Sequence, residues 1–575
     1  MSYLVPTAEM ERLARRLGHD RLAETERFAE ATPDMRSAIL TEAAKLAEEV
    51  MAPLNRGSDL EGARLENGVV RCSPGFDACY QAIAEGGWVG LTADPEHGGM
   101  GLPRSLSVMV NEMMSSACLS LSLCTLLSGG QIEALEAHGA PELKALYLPK
   151  LTSGAWTGTM NLTEPQAGSD VGALRTKAEP AGDGTYRITG QKIWISWGDH
   201  DVAENVVHLV LARLPGAPAG SKGVSLFLVP KRIPDADGKP GVANSLQTVS
   251  LEHKMGLHGS PTCVMAFEGA TGWLVGEENR GLACMFTMMN NARLQVGIQG
   301  VGIAEAATQA ALAWSMDRVQ GRTLDGSAAI VGHADVRRML MTMKALTRAA
   351  RAICYDCAFS LDMAGAAADP AAREAHARRG ALLTPIAKAY GTDTGIEVAN
   401  LAIQVHGGAG YVEDTGISQY LRDVRITAIY EGTNGVQAMD LVGRKLAGDG
   451  GAAALSLTAE AAAVAERASG GPLAPLGKAL GDAAAEAKAL TRLLASADEG
   501  DRGAAATPYL RVCALVLGGT ALLRAALEDG GAEDLALAQF HIQQLLPAIT
   551  GHAAAARAGA RPLYALDAEK LTATV

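Results

Sequence analysis

The sequence predicts a mainly α protein with a central β domain. Three observations lead there. Alanine is abundant while aromatic residues make up only 4% of the chain, and alanine loses no side-chain entropy in a helix. Apolar residues recur at helical spacing towards both ends. From about Trp156 to Trp273 that spacing gives way to short β-rich runs bounded by glycine.

Residues 1–157 read as a helical domain. Ile39, Ala43, Leu46 and Val50 mark one helix face, and Pro53 is expected to end that segment. "SVMVNEMMSSACLSLSLCTLLSGG" reads as a buried helix closed by Gly129 and Gly130. Residues 158–277 form the β domain. Its strands are "TYRITGQKIWIS", "VVHLVLARL" and "VSLFLVPKR", with "PGAPAGSKG" as a loop. "PDADGKPG" lacks the third acidic ligand and closing glutamate of a calcium loop, so it reads as a plain turn. Helical spacing returns over 278–447, which reads as a bundle. The glycine-rich "LAGDGGAAA" then precedes an additional helical domain, 452–575.

Composition excludes several classes. A formal net charge of −13 would repel phosphate, so nucleic acid is not an expected partner. The nine cysteines have no regular spacing, which argues for a reducing compartment. The close pair Cys354 and Cys357 lies in an alanine-rich helical stretch and reads as core-packing thiols. The N-terminus lacks a signal-like apolar run and carries Glu9 and Glu11. No membrane span is expected, and the expected location is cytoplasmic.

Four stretches could carry chemistry. "TEPQAGSD" places hydroxyls at Thr163 and Ser169 near backbone donors around Pro165 and Gly168. That suits a polar ring edge or a phosphate; equally it suits a turn in which Ser169 or Asp170 caps local structure. In "KIWIS", alternation puts Ile193 and Ile195 on one face, and Trp194 and Ser196 on the other. An aromatic beside a hydroxyl suits a flat heterocycle, or a tryptophan packed on a helix. In "QVHGGAGY", glycines follow a helical pattern and offer either a helix stop or close backbone approach to a cofactor. "IYEGTNGVQ" sets Glu431 beside Ile429 and Tyr430. Thr433 or Asn434 could cap a helix there. Apolar neighbours disfavour a carboxylate's charged form, which makes it a better base.

These four motifs, in this order and spacing, resemble the acyl-CoA dehydrogenase family over roughly residues 35–446. The resemblance implies a helical N-terminal domain, a β-barrel-like middle domain and a C-terminal four-helix bundle, with FAD as cofactor. It implies that Met160, Leu162, Thr163 and Ser169 lie at the flavin edge, and that Trp194 and Ser196 lie behind the ring; most members have threonine where this chain has Ser196. Arg318 and Gln320, in "DRVQGR", match positions that reach a neighbouring subunit's FAD, with Gln404 and Gly408 as their partners, so a homo-oligomer is implied, a dimer or a tetramer. Gly321 stands where many members carry an aromatic. Thr433 and Gly435 resemble flavin-facing residues. Glu431 matches the base that removes the α-proton of an acyl-CoA while hydride leaves the β-carbon. Gly432 leaves room for the thioester, Ser169 and Arg293 fall near substrate, and electron-transfer flavoprotein is the implied acceptor. The extension after the bundle looks like the branch acting on short or thioether acyl chains, 3-methylthiopropionyl-CoA among them, and on broad-range ones. An acyl-CoA oxidase using O2 would share every motif. A desulfinase-type relative is disfavoured by Glu431, and a scaffold without FAD by the intact Thr163, Ser169 and Ser196.

Overall fold

The structure is a computed structural model that describes residues 3–324 and 326–572. The chain starts with α1 (Thr7–Arg16), α2 (Pro33–Lys45), α3 (Ala52–Glu61), the short strands β1 (Arg64–Glu66) and β2 (Val69–Arg71), α4 (Phe76–Glu85), α5 (Arg104–His138) and α6 (Pro141–Thr152). Strands follow: β3 (Trp156–Asn161), β4 (Lys177–Pro180), β5 (Tyr186–Ser196), β6 (Asn205–Ala212), β7 (Ser225–Pro230), β8 (Arg232–Pro234), β9 (Pro240–Ala243), β10 (Leu246–Leu251) and β11 (Thr262–Val275). Helices then resume as α7 (Gly281–Asp317), α8 (Ala334–Ala366), α9 (Pro370–His406), α10 (Ile417–Val424) and α11 (Asn434–Asp440). The last stretch holds α12 (Ala452–Arg467), α13 (Ala474–Ser496), α14 (Glu499–Glu528), α15 (Ala532–Phe540), α16 (Ile549–Arg557) and α17 (Ala568–Thr572).

These elements form two compact units. One comprises Ser2–Thr7 and Pro33–Gln295; the other comprises Ala8–Thr32 and Val296–Val575. In the first, a seven-stranded sheet runs in the order β3-β6-β7-β11-β5-β4, with β10 also on β11. β3 and β6 are parallel, and the other pairs are antiparallel. Its core is Ile188, Ile195, Val210, Phe227, Val229, Met265 and Phe267. Strands β6 and β7 are buried at every residue, as their continuous apolar runs require. In the second unit, α8 and α9 anchor the bundle. Pro370 opens α9, and Asp369 accepts hydrogen bonds from the Ala371 and Ala372 amides, a capped start.

Two sequence-based helix stops are overturned. Pro53 does not end its helix: a π turn over Leu46–Met51 leads into α3, where Pro53 occupies the first turn and needs no N–H partner. Gly129 and Gly130 do not close α5, which continues to His138. A Cβ on Gly130 would lie 2.9 Å from Met288 Cγ, so this glycine permits close approach of α7. The break in α5 falls at Cys118, whose backbone is non-helical. Asp170 precedes the turn over Val171–Ala173 without capping it by its side chain. The "PDADGKPG" stretch is a turn between β8 and β9, where Asp235 accepts from the Asp237 and Lys239 amides. Cys354 and Cys357 are buried in α8. Among the described residues two helices, α5 and α14, are long and apolar enough to cross a membrane, yet 94% and 67% of their apolar windows are buried within the fold.

Candidate active site

On the first unit the site residues gather where β5 meets the segment after β3. The Ile193 amide donates to the Thr163 carbonyl at 3.0 Å. Lys192 Nζ donates to the Leu162 carbonyl at 3.0 Å and to Glu164 Oε1 at 2.8 Å. Both ionic side chains are buried, 0% and 4% exposed. Glu164 also accepts from the Arg175 amide (2.6 Å), the Thr176 amide (3.0 Å), the Thr176 hydroxyl (2.6 Å) and Gln166 Nε2 (2.7 Å). Burial opposes its charge, but the Lys192 ammonium and these donors outweigh that and hold its carboxyl at about 2. Burial lowers Lys192 to about 8, with Glu164 pulling the other way. The "TEP" turn is therefore clamped to the strand that carries Trp194.

Simple alternation fails on β5. Its register against β11 slips between Cys263 and Met265, so Ile193 and Trp194 oppose the single residue Val264. Trp194 adopts φ +60. Such a bulge re-aims side chains. Lys192 and Ile195 consequently both face inwards, and Trp194 stands 60% exposed with Ser196 half-buried beyond it. Trp197 is buried instead, donating to the Ser120 carbonyl at 3.1 Å. Met160 and Thr163 are half-buried, Leu162 is buried and Ser169 is exposed. An exposed indole, with hydroxyls on the neighbouring segments, is chemistry that suits stacking and hydrogen bonding to a flat, polar-edged ring. Arg293, on α7, is buried, with Nη1 3.3 Å from Asn290 Oδ1 and its guanidinium over the Phe286 ring.

On the second unit a 3-10 turn over Arg425–Ala428 follows α10, and the loop 429–433 joins that turn to α11. Glu431 has φ +55 and Gly432 φ +82. Left-handed backbone at a non-glycine residue costs of order 1 kcal/mol and persists only when its surroundings hold it. Gln437 supplies that hold: its Nε2 lies 3.2 Å from both the Glu431 and the Gly432 carbonyls. A Cβ at Gly432 would lie 2.8 Å from that nitrogen. Thr433 is the N-cap of α11, its hydroxyl accepting from the Val436 amide at 3.2 Å. Asn434 instead binds α9, through Lys388, Ala389, Thr392 and Asp393. Beside Glu431, the Tyr430 hydroxyl donates to buried Gln299 at 2.5 Å, and burial followed by the Glu431 charge raises its pKa. Gly435 is exposed.

The remaining predicted residues lie elsewhere on the second unit. Arg318 and Gln320 are exposed beyond the end of α7. The Gln320 carbonyl accepts from His333 Nε2 at 2.7 Å, and the Ile330 amide donates to the Arg318 carbonyl at 2.8 Å, so their backbone is fixed while their side chains face outwards. Gln404 and Gly408 are exposed at the end of α9, which Gly407 stops at φ +61. Reading the sequence missed Glu164, Lys192, Gln299 and Gln437, and offered Asn434 only as a helix cap. Lys192 carried one signal, its inward parity with Ile188 on β5.

Family models match the chain in order: acyl-CoA dehydrogenase N-terminal domain over 33–155, middle domain over 159–270 and C-terminal domain over 279–446. An acetyl-CoA dehydrogenase C-terminal-like domain matches 457–567. The 3-methylmercaptopropionyl-CoA dehydrogenase of Ruegeria pomeroyi is 47% identical over 492 residues, 84% of each chain. Caenorhabditis elegans ACDH-11, solved in complex with C11-CoA, superposes with a TM-score of 0.79 at 23% identity, covering 94% of this chain and 91% of its own. An acyl-CoA dehydrogenase from Bacillus anthracis, complexed with FAD, gives 0.74 at 21%, covering 92% and 89%. With three of its domains in sequence and a relative nearly half identical across most of both chains, the chain belongs to the acyl-CoA dehydrogenase family.

Proposed function

We propose that this enzyme oxidises an acyl-CoA thioester to its trans-2-enoyl-CoA, acting on a short or thioether chain such as 3-methylthiopropionyl-CoA and passing electrons to electron-transfer flavoprotein. The observation that carries the substrate is the 47% identity, over 84% of both chains, to 3-methylmercaptopropionyl-CoA dehydrogenase. FAD, when bound, supplies the two-electron acceptor. Trp194 would stack on its ring, with hydroxyls of Thr163 and Ser196 and the backbone around Met160 and Leu162 at its edge. Arg318, Gln320, Gln404, Gly408, Thr433 and Gly435 would hold the rest, the first two in a neighbouring copy of a homo-oligomer. Glu431 would take the α-proton. Its amide would donate to the thioester carbonyl as charge develops there, the kind of fixed donor that stabilises an enolate. Gly432 would leave room for the thioester, with Ser169 and Arg293 nearer the CoA moiety. The interior-rich composition and scattered cysteines suit a cytoplasmic setting.

A second reading, a broad-range or long-chain enzyme, is supported by the 34% identity over 508 residues, 84% of this chain and 82% of its own, to the broad-specificity linear acyl-CoA dehydrogenase of Mycobacterium tuberculosis. A panel from butyryl- and 3-methylthiopropionyl- to palmitoyl-CoA, assayed with ferrocenium, separates the two. The highest kcat/KM with the thioether or C4 chain is expected, and the highest with palmitoyl-CoA would overturn the substrate assignment. Fast reoxidation of the reduced enzyme by air, with none by electron-transfer flavoprotein, would make it an oxidase.

A further inference from the structure

The proposed chemistry uses nothing beyond Gly451, yet α14 pairs with α9 at the residue that binds the start of α11, just after the loop that carries Glu431. Arg511 Nη2, on α14, lies 2.9 Å from Asp393 Oδ2 on α9. The other oxygen, Asp393 Oδ1, accepts from Asn434 Nδ2 at 2.7 Å. Asn434 is the first residue of α11, three positions after Glu431. On the far side of the same amide, Lys388 Nζ donates to Asn434 Oδ1 at 2.9 Å. The Arg511–Asp393 pair is largely covered, 28% and 24% exposed, and the guanidinium sits over the Tyr390 ring, 5.9 Å from its centroid.

We infer that Arg511 is a positioning residue, through which the C-terminal helical stretch holds the catalytic loop by the relay Arg511–Asp393–Asn434. The inference rests on Glu431 being the base. Asp393 has a second carboxylate, Glu397, one turn further along α9; burial raises the pKa of Glu397, Arg511 lowers it and Asp393 raises it. Removing Arg511 leaves the two acids facing each other without their cation, which drives Asp393 away from Asn434. Asn434 then loses one of the contacts that orient the first turn of α11. Gln437, in the next turn, is the residue that holds the carbonyls of Glu431 and Gly432 in their left-handed conformation. A base displaced by an ångström costs up to about a hundredfold in rate.

The test uses the full-length holoenzyme. Arg511→Ala is expected to slow anaerobic flavin bleaching at saturating substrate by about tenfold to a hundredfold, with FAD content and substrate affinity close to wild type. Arg511→Lys, which keeps the cation, should recover most of the rate. Amide exchange over 431–437 should quicken in Arg511→Ala and return towards normal in Arg511→Lys. Adding Arg511→Ala to Glu431→Gln should cause no further loss, since the placed group is already gone. If Arg511→Ala does not fold, Asp393→Ala, which removes the acceptor for Asn434 Nδ2, carries the same expectation. Wild-type bleaching and exchange in Arg511→Ala, with Glu431→Gln inactive, would overturn the relay alone. A proportional loss of rate, FAD and melting temperature that Arg511→Lys does not restore would also overturn it, as a purely structural role. Rapid bleaching by Glu431→Gln would overturn the base assignment on which the relay rests.

Discussion

At the scale of single residues, Glu431 and Glu164 are acids in opposite settings. Glu164 is saturated by Lys192, two amides and a hydroxyl, and such a carboxylate is locked as an anion. Glu431 sits on strained backbone whose carbonyl, not its side chain, takes the amide of Gln437. Glu431→Gln keeps shape and polarity but cannot accept a proton. It should purify yellow, bind acyl-CoA and bleach about 10²–10⁴ times more slowly than wild type; stopped-flow mixing without oxygen checks this. For Glu164 the folded pKa of about 2 lies below the ordinary 4.5. Between those values the unfolded chain binds the proton that the native state refuses, so stability should fall as pH drops from about 5 towards 2. Glu164→Gln should flatten that acid limb and, by stranding the buried Lys192 ammonium, cost about 3–5 kcal/mol; melting curves across pH measure both. The sequence singles out Glu431 because the motif "IYEGTNGVQ" is contiguous. It does not single out the Lys192–Glu164 clamp, because its partners lie 28 residues apart and only the fold brings them together.

At the scale of elements, the strands and helices were legible wherever apolar spacing ran unbroken: the "TYRITGQKIWIS" run is β5, and the change back to helix at Gly281 is the start of α7. What spacing could not show were local irregularities. A bulge adds one residue without altering composition, so the alternation in "KIWIS" gave no warning that Lys192 and Ile195 share an inward face. Proline and glycine misled for a related reason: each permits a break without demanding one, and Pro53 and Gly130 serve a first turn and a helix contact. The bulge makes a prediction at this scale. Trp194 is largely exposed, so Trp194→Ala should change the melting temperature of the apoprotein little. The same substitution should weaken FAD retention, read as a loss of flavin absorbance on dialysis. A destabilised apoprotein with unchanged flavin retention would instead make Trp194 a packing residue.

At the scale of the whole chain, the additional helical stretch after Gly451 is built into its unit. Leu457, Leu480, Leu510, Leu515 and Leu522 are all buried. Leu382 and Ile386 of α9 share an apolar seam with Leu457, Tyr509 and Val516. Charge reinforces the seam: Arg379 pairs with Asp356 at 2.6 Å and with Glu460 at 2.8 Å, and Glu460 also pairs with Arg524. The N-terminal helix joins the same unit from the opposite end of the sequence, Arg16 pairing with Asp534, and Glu9 with Arg351, which is itself fully buried against Glu305. Such partly buried networks hold elements in register more than they add net stability, but breaking one side strands the other. Truncation after Gly451 would therefore uncover the apolar face of α9, leave Arg379 without Glu460, and leave Arg348 on α8 without Glu533 and Asp534, each 3.1 Å away. Each uncovered leucine forfeits about 1.5–3 kcal/mol, and a unit of this size shifts by about 2–4 °C per kcal/mol. The truncated protein should melt roughly 10 °C lower or more and tend to associate through its exposed patch, as differential scanning and light scattering would show. Because that stretch also carries Arg511, the truncated enzyme should lose turnover further than its fraction of folded, FAD-loaded protein accounts for. Turnover per bound flavin equal to wild type would mean that the C-terminal helices only cover the bundle and do not reach its chemistry.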